Sequence, residues 1–310
     1  MTQPAALASV VRRSYRRYRY GPLRFGHPLL RRAFALFLAD TQFVELRCGL
    51  HLRLDLSRDN QNTLFWLDGD VEPQLSWLIR TLLPVGGVFV DCGANVGLMG
   101  LLARQYRGAR VVFLEPHPRL AESISQNIRL NQFETACTLV EAAASDRNGE
   151  SVYFEHRHAD GSHSLLESWG GGDSRPLGKV RLTTLAQVVA QMHLPAIDVL
   201  KIDTEGHDLA VLHGLGDLLT PAFTRLLYVE MSIDRPSIVS LLRDRGYSGF
   251  NTIKLSRHTE TRRLQAFEAG ASVAYFAPVD DQIPSQGEML WCAPDSPVAA
   301  FLNWLAALRT

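Results

Sequence analysis

The chain has 310 residues, 46% of them hydrophobic, and a formal net charge of zero, so it can hold one large α/β domain with appendages and offers no bulk charge to a polyionic partner. No apolar run approaches the ~20 residues of a membrane span, and the arginines near the N-terminus are followed by glycine and proline, not by the apolar core of a signal peptide. Cys48, Cys92, Cys137 and Cys292 have no metal-type spacing, which points to reduced thiols in a cytosolic protein.

Residues 1–32 carry eight arginines, no acid, and Tyr15, Tyr18 and Tyr20 interleaved among them. Such an arm could meet an anionic membrane surface or a nucleic acid, but nothing further along the chain continues a nucleic-acid track. The preferred reading is a solvated lead-in. Phe43–Arg47 and Leu50–Leu56 alternate apolar and polar residues around Cys48-Gly49, the pattern of a β-hairpin. Residues 57–70 read as loop with a short helix. Glu72-Pro73 opens a helix over 74–83, and Pro84-Val85-Gly86-Gly87 ends it.

From Val88 onward strands and helices alternate. Strands are predicted at 88–90, 110–115, 137–143, 197–203 and 225–230, with helices between most of them. That rhythm specifies an α/β fold with a doubly wound, mostly parallel sheet. Residues 145–177 interrupt it with an extended piece at 151–154 and glycine-rich stretches at 161–164 and 170–172. Residues 247–253 and 288–292 read as an antiparallel edge, and the tail from Pro297 as a helix. The expected organisation is a basic N-terminal extension (1–40), a hairpin with its lead-in helix (41–85), the ligand-binding α/β domain (86–293) and a C-terminal helix (294–310).

The stretch Val88-Phe89-Val90-Asp91-Cys92-Gly93-Ala94-Asn95-Val96-Gly97 organises this domain. A buried strand ends in an acid, and a glycine turn then opens a helix, which brings a ligand to the carboxyl edge of the sheet. A dinucleotide fingerprint would need glycine where Asn95 and Leu98 stand, and Asp91 would repel a pyrophosphate. An NAD-type oxidoreductase is therefore disfavoured. A cationic ligand suits the acid, and D-x-G-x-N-x-G resembles the first motif of class I S-adenosylmethionine-dependent methyltransferases.

Glu115 ends the second strand of the domain, where an acid can accept from both hydroxyls of a ribose. Asp203-Thr204-Glu205-Gly206-His207-Asp208 follows the fourth strand, beside the first-strand turn. Asp203, Glu205 and His207, and His163 from its glycine-flanked loop, are candidate bases for removing a proton from a hydroxyl. Lys201, in a buried strand, needs a carboxylate partner, and Asp203 or Glu205 is nearest. Such clusters also bind divalent ions, but no metal site is expected here.

Beyond these residues lie Leu114-Glu115-Pro116-His117-Pro118, Ile128-Arg129-Leu130-Asn131, Ala143-Ala144-Ser145-Asp146, Thr183-Thr184-Leu185, Asp198–Asp208 and the earlier Gly69–Pro73. Their order resembles that of FkbM-type methyltransferases over about residues 60–250. The resemblance implies a class I methyltransferase fold, S-adenosylmethionine as donor, and an oxygen acceptor on a sugar, polysaccharide or natural product. It places Asp91, Gly93, Asn95, Gly97 and Glu115 on the methionine and ribose side of the cofactor cleft, with Ala143 and Ala144 near the adenine. His207 departs from the family, which commonly has a small residue there. A non-catalytic binding module on the same fold is the remaining alternative.

Overall fold

The computed structural model describes residues 39–69, 71–156, 163–169, 174–231, 233–253 and 287–307, with 266–267, 270, 273 and 275–278 between the last two spans. The basic N-terminal arm and most of the two glycine-rich stretches lie outside the described residues. The chain begins with the hairpin β1 (Thr41–Glu45) and β2 (His51–Asp55), then α1 (Asp59–Leu67) and α2 (Pro73–Thr81). Next come β3 (Val88–Cys92), α3 (Leu98–Arg107), β4 (Arg110–Leu114), α4 (Pro118–Leu130) and β5 (Cys137–Val140). The short β6 (Ala143–Ala144), β7 (Gly149–His156), β8 (His163–Ser164) and β9 (Ser174–Thr183) follow. The remainder is α5 (Leu185–Met192), β10 (Ile197–Ile202), α6 (Asp208–His213), β11 (Thr224–Glu230), α7 (Arg235–Asp244), β12 (Ser248–Thr252), β13 (Phe276–Pro278), β14 (Glu288–Cys292) and α8 (Pro297–Ala307).

Local chemistry sets the helix ends. Pro118 stands in the first turn of α4, where its missing N–H costs nothing, and the His117 ring accepts from the N–H of Arg119 at 3.2 Å. Thr184 caps α5 by accepting from the N–H of Gln187 at 3.2 Å. Gly108 closes α3 in the left-handed conformation that glycine adopts without strain.

Eight strands form the main sheet in the order β13-β12-β14-β11-β10-β3-β4-β5. The five from β11 to β5 are parallel, and β14, β12 and β13 make an antiparallel edge. Every residue of β3 and of β10 is buried, as befits central strands covered on both faces. The chain runs outward from β3 to β5 and then crosses to β10 on the other side of β3. The crevice between β3 and β10 is thus the switch point at which open α/β sheets bind ligands.

Two sequence expectations need correction. The third strand does not run over 137–143: the chain leaves the main sheet after Val140, and Ala143-Ala144 pairs with Leu182-Thr183 instead. His163 is not on a loop but in β8, paired with Glu155 of β7. Both belong to a second sheet, β6-β9-β7-β8, which fills the stretch where the alternation of strands and helices breaks. Most of β7 and β9 is exposed or half-buried, so their residues lack the alternation that marks a half-buried strand.

One hydrophobic cluster covers each face of the main sheet. The first joins the hairpin, α1, α2, α3, α4 and α8 in one continuous core, so the hairpin is packed into the domain. The second joins α5, α6 and α7. The hairpin is also held by polar groups from α4. Asn127, fully buried, accepts from the N–H of Arg53 at 2.8 Å and donates to the carbonyl of Val96 at 3.1 Å. Asn131 accepts from the N–H of His51 at 2.8 Å and donates to its carbonyl at 2.7 Å, as a paired strand would. Among the described residues no helix is long and apolar enough to cross a membrane, and all four cysteines are free.

Asn127→Ala should cost about 2–4 kcal/mol, because a backbone N–H and a carbonyl lose their partner together. Urea denaturation checks this, and a loss under about 0.5 kcal/mol, the size of an ordinary surface substitution, would show that the link carries little.

Candidate active site

A cavity of about 440 Å³ opens at the carboxyl ends of β3, β4 and β10, within the size range of small-molecule sites. Its wall contains Asp91, Gly93, Asn95, Glu115, Ala143, Ala144, His163, Lys201, Asp203, Glu205 and His207. Gly97 is absent from the wall. It lies one turn deeper, at φ 82° as the N-cap of α3, and shapes the turn through its backbone.

The turn after β3 is held against the end of β10 by direct backbone approach. Gly93 has φ 74°, and a Cβ built on it would lie 1.8 Å from the carbonyl oxygen of Asp203. No other residue fits there. Asn95 and Glu205 take left-handed φ values of 55° and 53°, so each strand-end loop makes a sharp reversal.

Glu115 is 3% exposed, and each of its carboxyl oxygens holds one backbone N–H at 2.9 Å, that of Asn95 and that of His117. Burial nevertheless pushes its pKa up to about 7, against the stabilising pull of those two bonds. Asp91, 1% exposed, accepts from the N–H of Gly100 at 3.2 Å through Oδ2, while Oδ1 has no hydrogen-bond partner.

Lys201 is 4% exposed and sits among acids. Its Nζ donates to the carbonyl of Gly93 at 3.1 Å and lies 3.1 Å from Asp203 Oδ2 and 3.5 Å from Asp91 Oδ1. Burial alone would depress the ammonium pKa, but Asp203, Asp91 and Glu72 override it and hold the group charged. The expected partner Asp203 is present, with Asp91 beside it. Burial works to raise Asp203, yet Lys201 and a hydrogen bond from Glu230 keep it below the ordinary carboxylate range. Glu230 is driven up by burial and by the neighbouring Asp203, so it carries the proton of that pair.

The histidines stand on other walls. His207 Nε2 lies 3.0 Å from Ser145 Oγ, and burial keeps the ring below its ordinary pKa, so it is neutral near pH 7. His163 stacks on Tyr153 at 5.9 Å and meets His117 edge-on at 4.4 Å, with Nε2 3.9 Å from Glu155. Ser164 donates to the carbonyl of Glu205 at 2.7 Å and so fastens the second sheet to the loop after β10. Among the described residues no group of three His, Cys, Asp or Glu side chains is arranged to hold a metal ion.

Several wall residues escaped the sequence reading: Asn60, Gln61 and Thr63 of α1, Glu72 before α2, and Tyr153 of β7. Glu72 stood in a quoted motif but without a role. The polar run Asn60–Thr63 resembles an ordinary surface turn, and only the packing of α1 over the sheet edge brings Asn60, Gln61 and Thr63 into the wall.

Residues 91–248, just over half of the chain, match the methyltransferase FkbM domain. The chain belongs to the FkbM methyltransferase family. Methyltransferase sdnD of Sordaria araneosa is 27% identical over 197 residues, which span 53% of this chain and 75% of that protein. AMB antimetabolite synthetase AmbE of Pseudomonas aeruginosa is 26% identical over 168 residues, 44% of this chain but only 8% of AmbE. Among solved structures, the METTL16 MTase domain aligns with a TM-score of 0.43 at 12% identity, covering 80% of this chain and 74% of that one. M. capricolum TrmK, in complex with S-adenosyl-homocysteine, aligns at 0.40 and 8% identity over 71% and 68%. Family membership and the strand order of the sheet, not these superpositions, carry the class I methyltransferase fold.

The Glu115 carboxyl gives the protein a pH signature. Its folded value of about 7 exceeds the ordinary 4.5, so between those values the folded chain keeps a proton that the unfolded chain has released. Stability from this group is full below the lower value and should fall by about 3 kcal/mol as pH rises through the upper one. Glu115→Gln should flatten that part of the profile. Urea midpoints measured across the interval, with equal slopes in both proteins, would overturn the assignment.

Proposed function

We propose that this chain transfers a methyl group from S-adenosylmethionine to a hydroxyl oxygen of a small-molecule or glycan acceptor. The observation that carries the donor assignment is Glu115, a buried carboxyl at the end of β4 pinned by two loop N–H groups in the cavity wall. An acid in that position is suited to accept from both hydroxyls of a ribose. Small Ala143 and Ala144 leave room for a flat base, while Asp91, Gly93 and Asn95 flank the space for the amino-acid end. The Oδ1 atoms of Asp91 and Asn95 are both acceptors without a hydrogen-bond partner, Asp91 Oδ1 having only its 3.5 Å ion pair with Lys201, which suits a ligand that brings N–H donors. When bound, the donor supplies a methyl group on a positively charged sulfur.

The chain's own residues would handle the acceptor and its proton. Lys201 is held as an ammonium, so its part is to fix the Asp203 carboxylate, not to take a proton. Asp203, with a third of its side chain exposed, can orient an acceptor hydroxyl. Glu205, projected by its left-handed backbone beside Asp203, and Asp203 itself are the groups assigned to the proton. His163 and His207 come after them, since His207 is engaged with Ser145 and His163 with the aromatic wall. An acceptor of natural-product type is supported by the relative AmbE, whose name is that of an antimetabolite synthetase.

Calorimetry with S-adenosylhomocysteine tests the donor reading. The wild type should bind it and should not bind NAD, and Glu115→Ala should weaken the complex by about 2–4 kcal/mol as two hydroxyls lose a charged acceptor. Unchanged affinity in the folded variant would remove Glu115 from the site. With an acceptor in hand, Glu205→Gln or Asp203→Asn should lower turnover by about 10²–10⁴ while leaving donor affinity intact. Full activity in both would overturn the assignment of the base.

A further inference from the structure

Three carboxyl groups, Glu72, Asp91 and Asp203, share one end of the cavity with Lys201, the one lysine or arginine in the wall among the described residues. That ammonium donates to Gly93 O at 3.1 Å and forms ion pairs with Asp203 Oδ2 at 3.1 Å and, more loosely, with Asp91 Oδ1 at 3.5 Å. Lys201 is therefore fully engaged, and it faces Glu72 only through the longer-range field. The Glu72 carbonyl accepts from the N–H of Ser76 at 2.9 Å, but its carboxyl has no hydrogen-bond or ion-pair partner among the described residues and does not cap α2. Asp91, almost wholly buried, also keeps Oδ1 without a hydrogen-bond partner in the same wall. Two carboxyls in one cavity wall, Glu72 without a side-chain partner among the described residues and Asp91 with only a 3.5 Å ion pair at Oδ1, suit a further cation from outside the protein.

We propose that Glu72 joins Asp91 in binding the α-ammonium of the donor, so that the amino-acid end is gripped partly by a residue outside the matched methyltransferase domain. This rests on the S-adenosylmethionine reading above. Glu72 lies 19 positions before Asp91 in sequence and reaches the strand end only because α1 and α2 fold over the sheet edge. The groups that face Glu72 are Lys201 from β10, Asp203 just past it, Asp91 from β3, Glu288 from β14 and Tyr228 from β11. Burial, reinforced by the neighbouring carboxyls and opposed by Lys201, raises Glu72 to about 7. An ammonium placed against it favours the ionised form, so donor binding near neutral pH should expel a proton.

The test uses the intact protein, S-adenosylhomocysteine, and its deamino analogue, which lacks only the α-amine. Calorimetry near pH 7 in two buffers of different ionisation enthalpy gives affinity and proton release together. Wild type should release more protons with S-adenosylhomocysteine than with the deamino analogue. Glu72→Gln should raise the Kd for S-adenosylhomocysteine about ten- to a hundredfold, leave the deamino complex nearly unchanged, and erase the difference in proton release. Equal proton release for the two ligands in wild type would overturn the proposal without any variant, as would a Glu72→Gln protein that binds both as wild type does. If wild type binds neither ligand, it is the donor reading that fails, and the role of Glu72 falls with it.

Discussion

The ammonium of Lys201 is the constraint on which the site depends. An almost fully buried charge survives only with its donors satisfied and a counter-charge in contact, because an unpaired ion in the interior costs several kcal/mol. Here the partners are Gly93 O on the turn after β3, Asp91 at the end of β3, and Asp203 just past β10. These lie on the two strands flanking the switch point, paired in parallel with Lys201 opposite Asp91. One side chain thus fixes the relative position of both strand-end loops. Removing it would leave Asp91 and Asp203 facing each other inside the protein without compensation. The pairing is weak grounds for high stability, since buried ion pairs often do little better than apolar replacements, but it is strong grounds for a single arrangement of the loops.

The same arrangement explains why the glycine turn cannot vary. The carbonyl of Asp203 occupies the space of a Cβ on Gly93, and Gly93 O is at the same time an acceptor for Lys201. Close approach and charge satisfaction are therefore one requirement. On the other side, Gly206 has φ 94°, and a Cβ there would meet the ring of Trp169 at 2.9 Å and Ile233 at 3.1 Å. Glycines bracket the loop wall because neighbouring elements press on its backbone.

Much of this was legible in the sequence because it is carried by short, local patterns. The buried runs at Val88–Cys92 and Ile197–Ile202, the acids ending them, and Glu115 at the next strand end all follow from strand length and position. What was hidden depends on tertiary packing. The split after Val140 cannot be read from Cys137–Ala143, a continuous extended stretch whose second half simply pairs elsewhere. His163 looked like a loop residue because its strand is two residues long and flanked by glycine and serine. Glu72 was visible only as part of a motif. Its role depends on α1 and α2 lying across the carboxyl edge of the sheet, and no periodicity in 57–81 announces that contact. Lys201 was correctly seen to need a carboxylate, but the engagement of Gly93 O required the turn itself.

The protonation of the carboxyls bears on what the cavity can favour. Glu230 holds a proton and donates to Asp203, while burial leaves Glu72 and Glu115 poised near neutrality. The cavity end thus limits its negative charge by retaining protons, which keeps several acids close together without mutual expulsion. A cationic ligand reverses that balance, because each positive charge placed among these groups favours their ionised forms. On the proposed reading, the donor enters with a positive sulfur and leaves as a neutral thioether. The acidic lining therefore interacts less favourably with the product than with the donor, and transfer itself weakens the hold on what remains. Retained protons and a buried lysine let one end of the cavity hold several acids and still fold around them, which is what the proposed cationic donor requires.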